Sequence, residues 1–237
     1  LEETIVLDDW LDGTGRTPDD VLAQLIGAGG AGSSGGGMGG MGGMGGMDHG
    51  ANGSSTGAQP WGDAGDVTYP YFLLNGRVPA APETFSAKPG QRVRLRIINA
   101  ASDTIFAVAV GGHQMTVTHT DGHPVVLHEA GAFYIGMGER YDAIVTLKDG
   151  VFPLVARPFG KTSGGQALGL IRTSAGSAPG PDVNPAELSG PVLVGSRLLP
   201  ADSARLPVKA PDATAQLTLD GSMQPYRWGM NGAVFGK

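Results

Sequence analysis

The residues with the most pointed chemistry are four methionines three apart, Met38, Met41, Met44 and Met47, followed at once by Asp48 and His49. Thioether sulfur is a soft donor that suits Cu(I), and it ligates without losing a proton. Glycines between the methionines let several sulfurs fold around one ion. His49 offers an imidazole to a mixed site, and Asp48 adds negative charge. The competing reading is a glycine-rich spacer in which the methionines are incidental. Copper handling is preferred here, because spaced thioethers closing on Asp-His are unusual in a linker.

Other candidates read as structural. His113, His119, His123 and His128 invite a metal, but no two form a His-x-His pair. A ligand assignment needs convergent geometry that spacing alone does not supply. Glu139, Arg140 and Asp142 lie between two expected strands and read as an ion-pair or turn network rather than as acid and base. Trp10 and Asp9, near the Gly/Met insert, are candidates to line the substrate approach, although a Trp in that place is more often packed against the sandwich. Cysteine is absent, which removes disulfides, thiolate nucleophiles, zinc ribbons, iron–sulfur clusters and the Cys-containing blue copper site together.

The elements that must position these residues follow from pattern. Glu3-Thr4-Ile5-Val6-Leu7 opens as a strand. Thr17 suits an N-cap, Pro18 the first helical position, and Asp19 and Asp20 the positive end of the dipole. Val21, Leu22, Leu25 and Ile26 then share a face, and Gly27 can end this one short helix. Glycine makes up 41 of 237 residues and crowds between Gly27 and Gly65. With almost nothing there to bury, 27–66 reads as a long flexible Gly/Met-rich insert.

From Tyr71 the chain turns to short strands: Tyr71–Leu74, Arg92–Asn99, Thr104–Val110, Gln114–His119, Phe133–Gly136, Asp142–Leu147, Phe152–Ala156 and Gln166–Arg172. In the second, Val93, Leu95 and Ile97 alternate with Arg92, Arg94 and Arg96, the mark of a strand with one wet face. Turn signals fall at Asn75-Gly76, Lys88-Pro89-Gly90, Gly111-Gly112, Asp121-Gly122 and Asp149-Gly150. The pattern predicts an all-β Greek-key sandwich or barrel. Residues 174–211, rich in Pro, Gly, Ala and Ser, read as a connector in which only Pro191–Leu199 is apolar enough to dock. A strand begins again at Gln216-Leu217-Thr218-Leu219, and a turn is expected at Trp228-Gly229-Met230-Asn231-Gly232.

A formal net charge of −6 and the lack of a Lys/Arg stripe make nucleic acid an unexpected partner. No run approaches the roughly 18 apolar residues of a spanning helix. The chain opens on Leu1 rather than Met and reads as part of something longer.

Several phrases in order resemble the second domain of three-domain multicopper oxidases: Tyr71-Phe72-Leu73-Leu74-Asn75-Gly76-Arg77, Arg92–Ser102, Gly112-His113-Gln114-Met115-Thr116-Val117, Thr120-Asp121-Gly122 and Gly138-Glu139-Arg140-Tyr141-Asp142. The stretch Leu219–Gly232 resembles the first strands of the third domain. The helix and the Gly/Met insert look like those of bacterial copper-tolerance members. The resemblance implies a cupredoxin-like middle domain at 1–173, a connector at 174–211 and an incomplete third domain at 212–237. It further implies an exported laccase-like or cuprous oxidase that takes electrons from Cu(I) or phenols at one copper and reduces O₂ to water at a trinuclear cluster. The resemblance places those coppers on His-x-His pairs in the first and third domains, the partners of this segment, and on a His-Cys-His segment in the third; none of these motifs occurs here, as the resemblance implies for a middle domain. The expected metal residues in this chain are therefore Met38, Met41, Met44, Met47, Asp48 and His49 alone. A non-enzymatic periplasmic copper-binding or chaperone module is the alternative, and a purely structural adhesion sandwich a third reading.

Overall fold

The computed structural model describes residues 1–28, 65–161, 163–223 and 226–234. In chain order the strands are β1 (Glu2–Trp10), β2 (Tyr71–Leu74), β3 (Glu83–Ser86), β4 (Arg92–Asn99), β5 (Phe106–Val110), β6 (Met115–Thr120), β7 (His123–Ala130), β8 (Ala132–Ile135), β9 (Arg140–Thr146), β10 (Val151–Pro158), β11 (Ala167–Arg172), β12 (Val192–Leu193), β13 (Leu219–Met223), β14 (Tyr226–Met230) and β15 (Ala233–Val234); the helix is α1 (Pro18–Ala28). They fall into two compact units, Leu1–Leu11 with Gln59–Leu206, and Asp12–Ala58 with Pro207–Lys237.

The first unit is a β-sandwich. One sheet runs β2-β1-β4-β9-β6-β7 and the other β12-β8-β5-β10-β11-β3, and the non-sequential neighbours are the crossovers of a Greek key. β1 lies parallel to β4, with Ile5 opposite Ile97, and antiparallel to β2, with Trp10 opposite Tyr71. The inner faces are built by period-two alternation: Ile5 and Leu7 from β1, Val93, Leu95 and Ile97 from β4, Ala143 and Val145 from β9. Across the core the Tyr141 ring stacks on Phe133 of the opposite sheet at 4.9 Å, and Phe72 meets Phe106 edge to face at 5.7 Å.

β5, Phe-Ala-Val-Ala-Val, is buried throughout. Its large residues enter the main core while Ala107 and Ala109 face outward, where with Ala132, Val155 and Leu168 they receive Leu188 and flanking Val183 and Val192. Small side chains there leave room for a peptide layer above the sheet. The same segment continues as β12 on the edge of β8, and further on Leu199 accepts a hydrogen bond from Val126 N–H at 2.8 Å while Ala201 N–H donates to Pro124 at 3.0 Å. Residues 183–201 thus cover one edge strand in each sheet, which removes two open pairing edges. Sequence pattern named only part of this stretch as sticky.

The second unit is described by α1 and the sheet β13-β14-β15. α1 starts on a reciprocal cap: Asp20 N–H donates to Thr17 Oγ1 at 3.2 Å, and Thr17 N–H to Asp20 Oδ2 at 2.8 Å. Trp228 and Met230 belong to a strand, and the turn is confined to Asn231-Gly232, both left-handed at φ 49° and 78°. Four further strands, β3, β7, β12 and β15, appear where pattern gave none.

Candidate functional site

Met38, Met41, Met44, Met47, Asp48 and His49 lie outside the described residues. The described histidines do not converge. His113, buried on the turn after β5, faces Gly111 O through Nδ1 at 2.8 Å and receives Lys148 N–H on Nε2 at 3.0 Å. Both ring nitrogens are thereby engaged with backbone, which suits the neutral Nδ1–H tautomer. Burial pushes this imidazole below its ordinary value of 6.5, and the nearby Lys148 charge acts in the same direction. His119 contacts Thr118 Oγ1 at 3.0 Å beside an irregularity in the β6 ladder, and His123 and His128 are exposed on β7.

The other residues singled out in the sequence organise loops. Glu139 Oε2 accepts from Gly136 N–H at 2.6 Å; Arg140 reaches Asp121 at 3.4 Å, and Asp121 Oδ1 in turn accepts Arg140 N–H at 3.0 Å. Asp142 stands 3.7 Å from Arg96. Asn75 in its left-handed turn accepts Val6 N–H at 2.7 Å and donates to Thr4 O. Buried Asn99 donates to Thr104 and Ile135 carbonyls and accepts Ala101 N–H. The most recognisable phrases of the sequence are thus spent on satisfying backbone groups where strands end.

Sequence reasoning missed the centre formed around Asp9. Its carboxylate, 5% exposed, accepts Ser102 N–H at 2.9 Å, Asp103 N–H at 3.0 Å and Thr104 O–H at 2.7 Å. Beside it Lys161 Nζ, its side chain 6% exposed, bonds Asp103 at 2.8 Å and Val67 O at 2.7 Å, and lies 5.7 Å from the Tyr69 ring centroid. Burial, then the Asp9 and Asp103 charges, push the Tyr69 phenol up to about 12. The signal for Asp9 was present in β1: it continues the inward series Ile5, Leu7. Trp10, one residue on, is 42% exposed and not packed into the sandwich.

The two facing sheets with crossed connections define a cupredoxin-like β-sandwich. The sequence pattern of the family described as Multicopper oxidase matches residues 3–176, and the chain belongs to that family. It is 44% identical over 234 residues to Multicopper oxidase MmcO of Mycobacterium tuberculosis strain H37Rv, covering 99% of this chain and 44% of that protein. It is 38% identical over 121 residues to the Copper resistance protein A homolog of Pseudomonas syringae pv. tomato strain DC3000, covering 50% of this chain and 19% of that protein. Among solved structures it superposes on Fet3p, described as a multicopper oxidase that functions in iron import. The TM-score is 0.66 at 16% identity, over 97% of this chain and 39% of that one, and this likeness concerns the fold. The chain spans less than half the length of the curated relatives it matches.

Copper is the cofactor of that family. The described residues do not fit a copper centre: no group of three or more His, Cys, Asp or Glu side chains comes together among them, and His113 already uses both nitrogens.

Proposed function

We propose that the chain is the middle domain, with the beginning of the third, of an exported multicopper oxidase that oxidises Cu(I) or phenols and reduces O₂. On this reading residues 1–173 are a structural cupredoxin-like domain that spaces its first and third partners. Residues 174–211 connect, and 212–237 open the next domain. Met38, Met41, Met44 and Met47, with Asp48 and His49, form an arm that presents Cu(I), and no catalytic copper is held in this segment. The observation that carries the reading is the family match over residues 3–176, combined with histidines that, among the described residues, are tied into backbone and surface rather than into a ligand cluster.

Copper loading tests it. The purified chain treated with Cu(II) should stay without blue absorption and show no oxidase activity; a blue band would overturn the ligand assignment. Competition with a chromophoric Cu(I) chelator should reveal cuprous binding that is lost when all four loop methionines become leucine. Retention of the same Cu(I) stoichiometry in that variant would remove the arm from the proposal.

A further inference from the structure

Within the first unit, the outer face of the sheet that holds β4, β9, β6 and β7 carries a cleft of about 510 Å³, in the range of small-ligand sites. Its charged lining comes from Arg92 at the start of β4, Glu129 near the end of β7, Lys148 after β9, and Glu187 on the 3₁₀ turn at Ala186–Ser189. Lys148 and Glu187 are both engaged on one residue, Gly112, through the peptides on either side of it. Lys148 Nζ donates to Gly112 O, and Gly112 N–H donates to Glu187 Oε1 at 2.9 Å. That leaves Glu187 Oε2, a buried carboxylate oxygen with no hydrogen-bond partner among the described residues. A buried acceptor left without a donor is costly, and a carboxylate oxygen costs more than a neutral one. Glu129 and Arg92 have no ion pair among the described residues either, whereas neighbouring Arg94 and Arg96 are matched by Glu2 and Asp142.

The cleft therefore offers the exposed, unpaired Glu129 carboxylate on one side and the exposed, unpaired Arg92 guanidinium on the other, with two cations and two anions in all; Glu187 Oε2, closed to solvent as it stands, joins Glu129 when its carboxylate turns toward a ligand. A lone cation would meet Arg92 and Lys148, and a lone anion would meet Glu129 and Glu187. A ligand bearing both charges, separated, satisfies each side. The separation follows from the sheet order. β4 and β7 are three strand spacings apart, roughly 14 Å at the backbone, and the Arg and Glu side chains shorten the remaining gap. An extended peptide advances about 3.3–3.6 Å per residue, so two or three residues span what is left.

We propose that this cleft binds the termini of a short zwitterionic peptide, its ammonium against Glu187 and Glu129 and its carboxylate against Arg92. The site is separate from the copper chemistry proposed above and does not depend on it.

The probe is triglycine, titrated into the full 237-residue chain under amide-detected NMR. Saturable shifts are expected at Gly112, Gln114 and Lys148, with affinity in the millimolar range for so few contacts. N-acetyl triglycine and triglycine amide should each bind at least about tenfold more weakly, since each loses one charge-assisted contact. Glu187→Gln, which keeps an oxygen for Gly112 N–H, and Arg92→Gln should each weaken free triglycine by a similar factor while a single cooperative melting transition is retained, raised in Glu187→Gln because a buried charge is removed. Absence of saturable shifts, equal binding of the blocked peptides, or undiminished binding in either variant would overturn the assignment.

Discussion

At the scale of single residues, Asp9 is the side chain on which local order most depends. Its carboxylate satisfies three donors of the loop after β4, two of them backbone amides that no other group in the site reaches. Asp9→Ala should lower unfolding stability by roughly 3–5 kcal/mol, because it orphans three donors at about 1–3 kcal/mol each, partly offset by relief of the buried charge. Asp9→Asn keeps one acceptor and should cost about 1–2 kcal/mol. Urea unfolding checks both, and equal midpoints for the two variants would contradict the ordering. Lys161 and Asp103 reinforce the same loop, and the Lys161 ammonium also holds Val67, so the chain returning toward β2 is pinned there. None of these pairings could be derived from spacing, since the partners are between 58 and 95 positions apart in sequence.

At the scale of elements, Ala107 and Ala109 admit the layer formed by 183–193. Ala109→Leu should overpack this seam at a cost of about 1–3 kcal/mol and loosen the overlying segment before the sandwich itself. Limited proteolysis should then cut first within 183–201, and cleavage confined to β4 or β9 would refute the idea. This seam also marks the limit of what the sequence discloses. β4 was legible because arginines alternate with Val93, Leu95 and Ile97, and α1 because Thr17, Pro18 and Asp20 spell its cap. β3 escaped because Glu83–Ser86 is four residues with one inward apolar side chain, and its strand character comes from lying parallel to β11. β7 escaped because it is an edge strand in which Pro124 lacks an N–H for the ladder and only Val125 and Ala130 are buried, so no alternation of apolar and polar residues marks it. The cleft at Arg92 and Glu187 gave no local signal at all, since only the wrap of the 3₁₀ turn past Gly112 brings its walls together.

At the scale of the whole molecule, buried phenols govern the alkaline limit. Burial disfavours the phenolate and is the chief reason that Tyr69 is pushed up to about 12 and that Tyr134 and Tyr141 are also raised from 10.0. Between pH about 10 and about 12 the unfolded chain has released protons that the folded chain retains, so fewer protons are bound in the unfolded state and stability falls with rising pH. The contribution is complete below pH 10 and lost as pH climbs through the folded values. Melting temperatures should therefore drop across this window, and Tyr69→Phe should make the drop shallower. An unaltered slope in that variant would place the alkaline sensitivity elsewhere.

The register of β1 with β2 has a topological corollary. Trp10 and Tyr71 face each other as adjacent rungs, about 5 Å apart at the backbone, yet residues 11–70 run between them. In effect they close a hairpin whose hydrogen-bonded stem is indifferent to the size of its tip, because each doubling of a connection costs only about 0.6 kcal/mol. Such a stem is a socket: evolution or a protein engineer can exchange residues 12–58 for a connection of different length and chemistry while β1 and β2 keep their register.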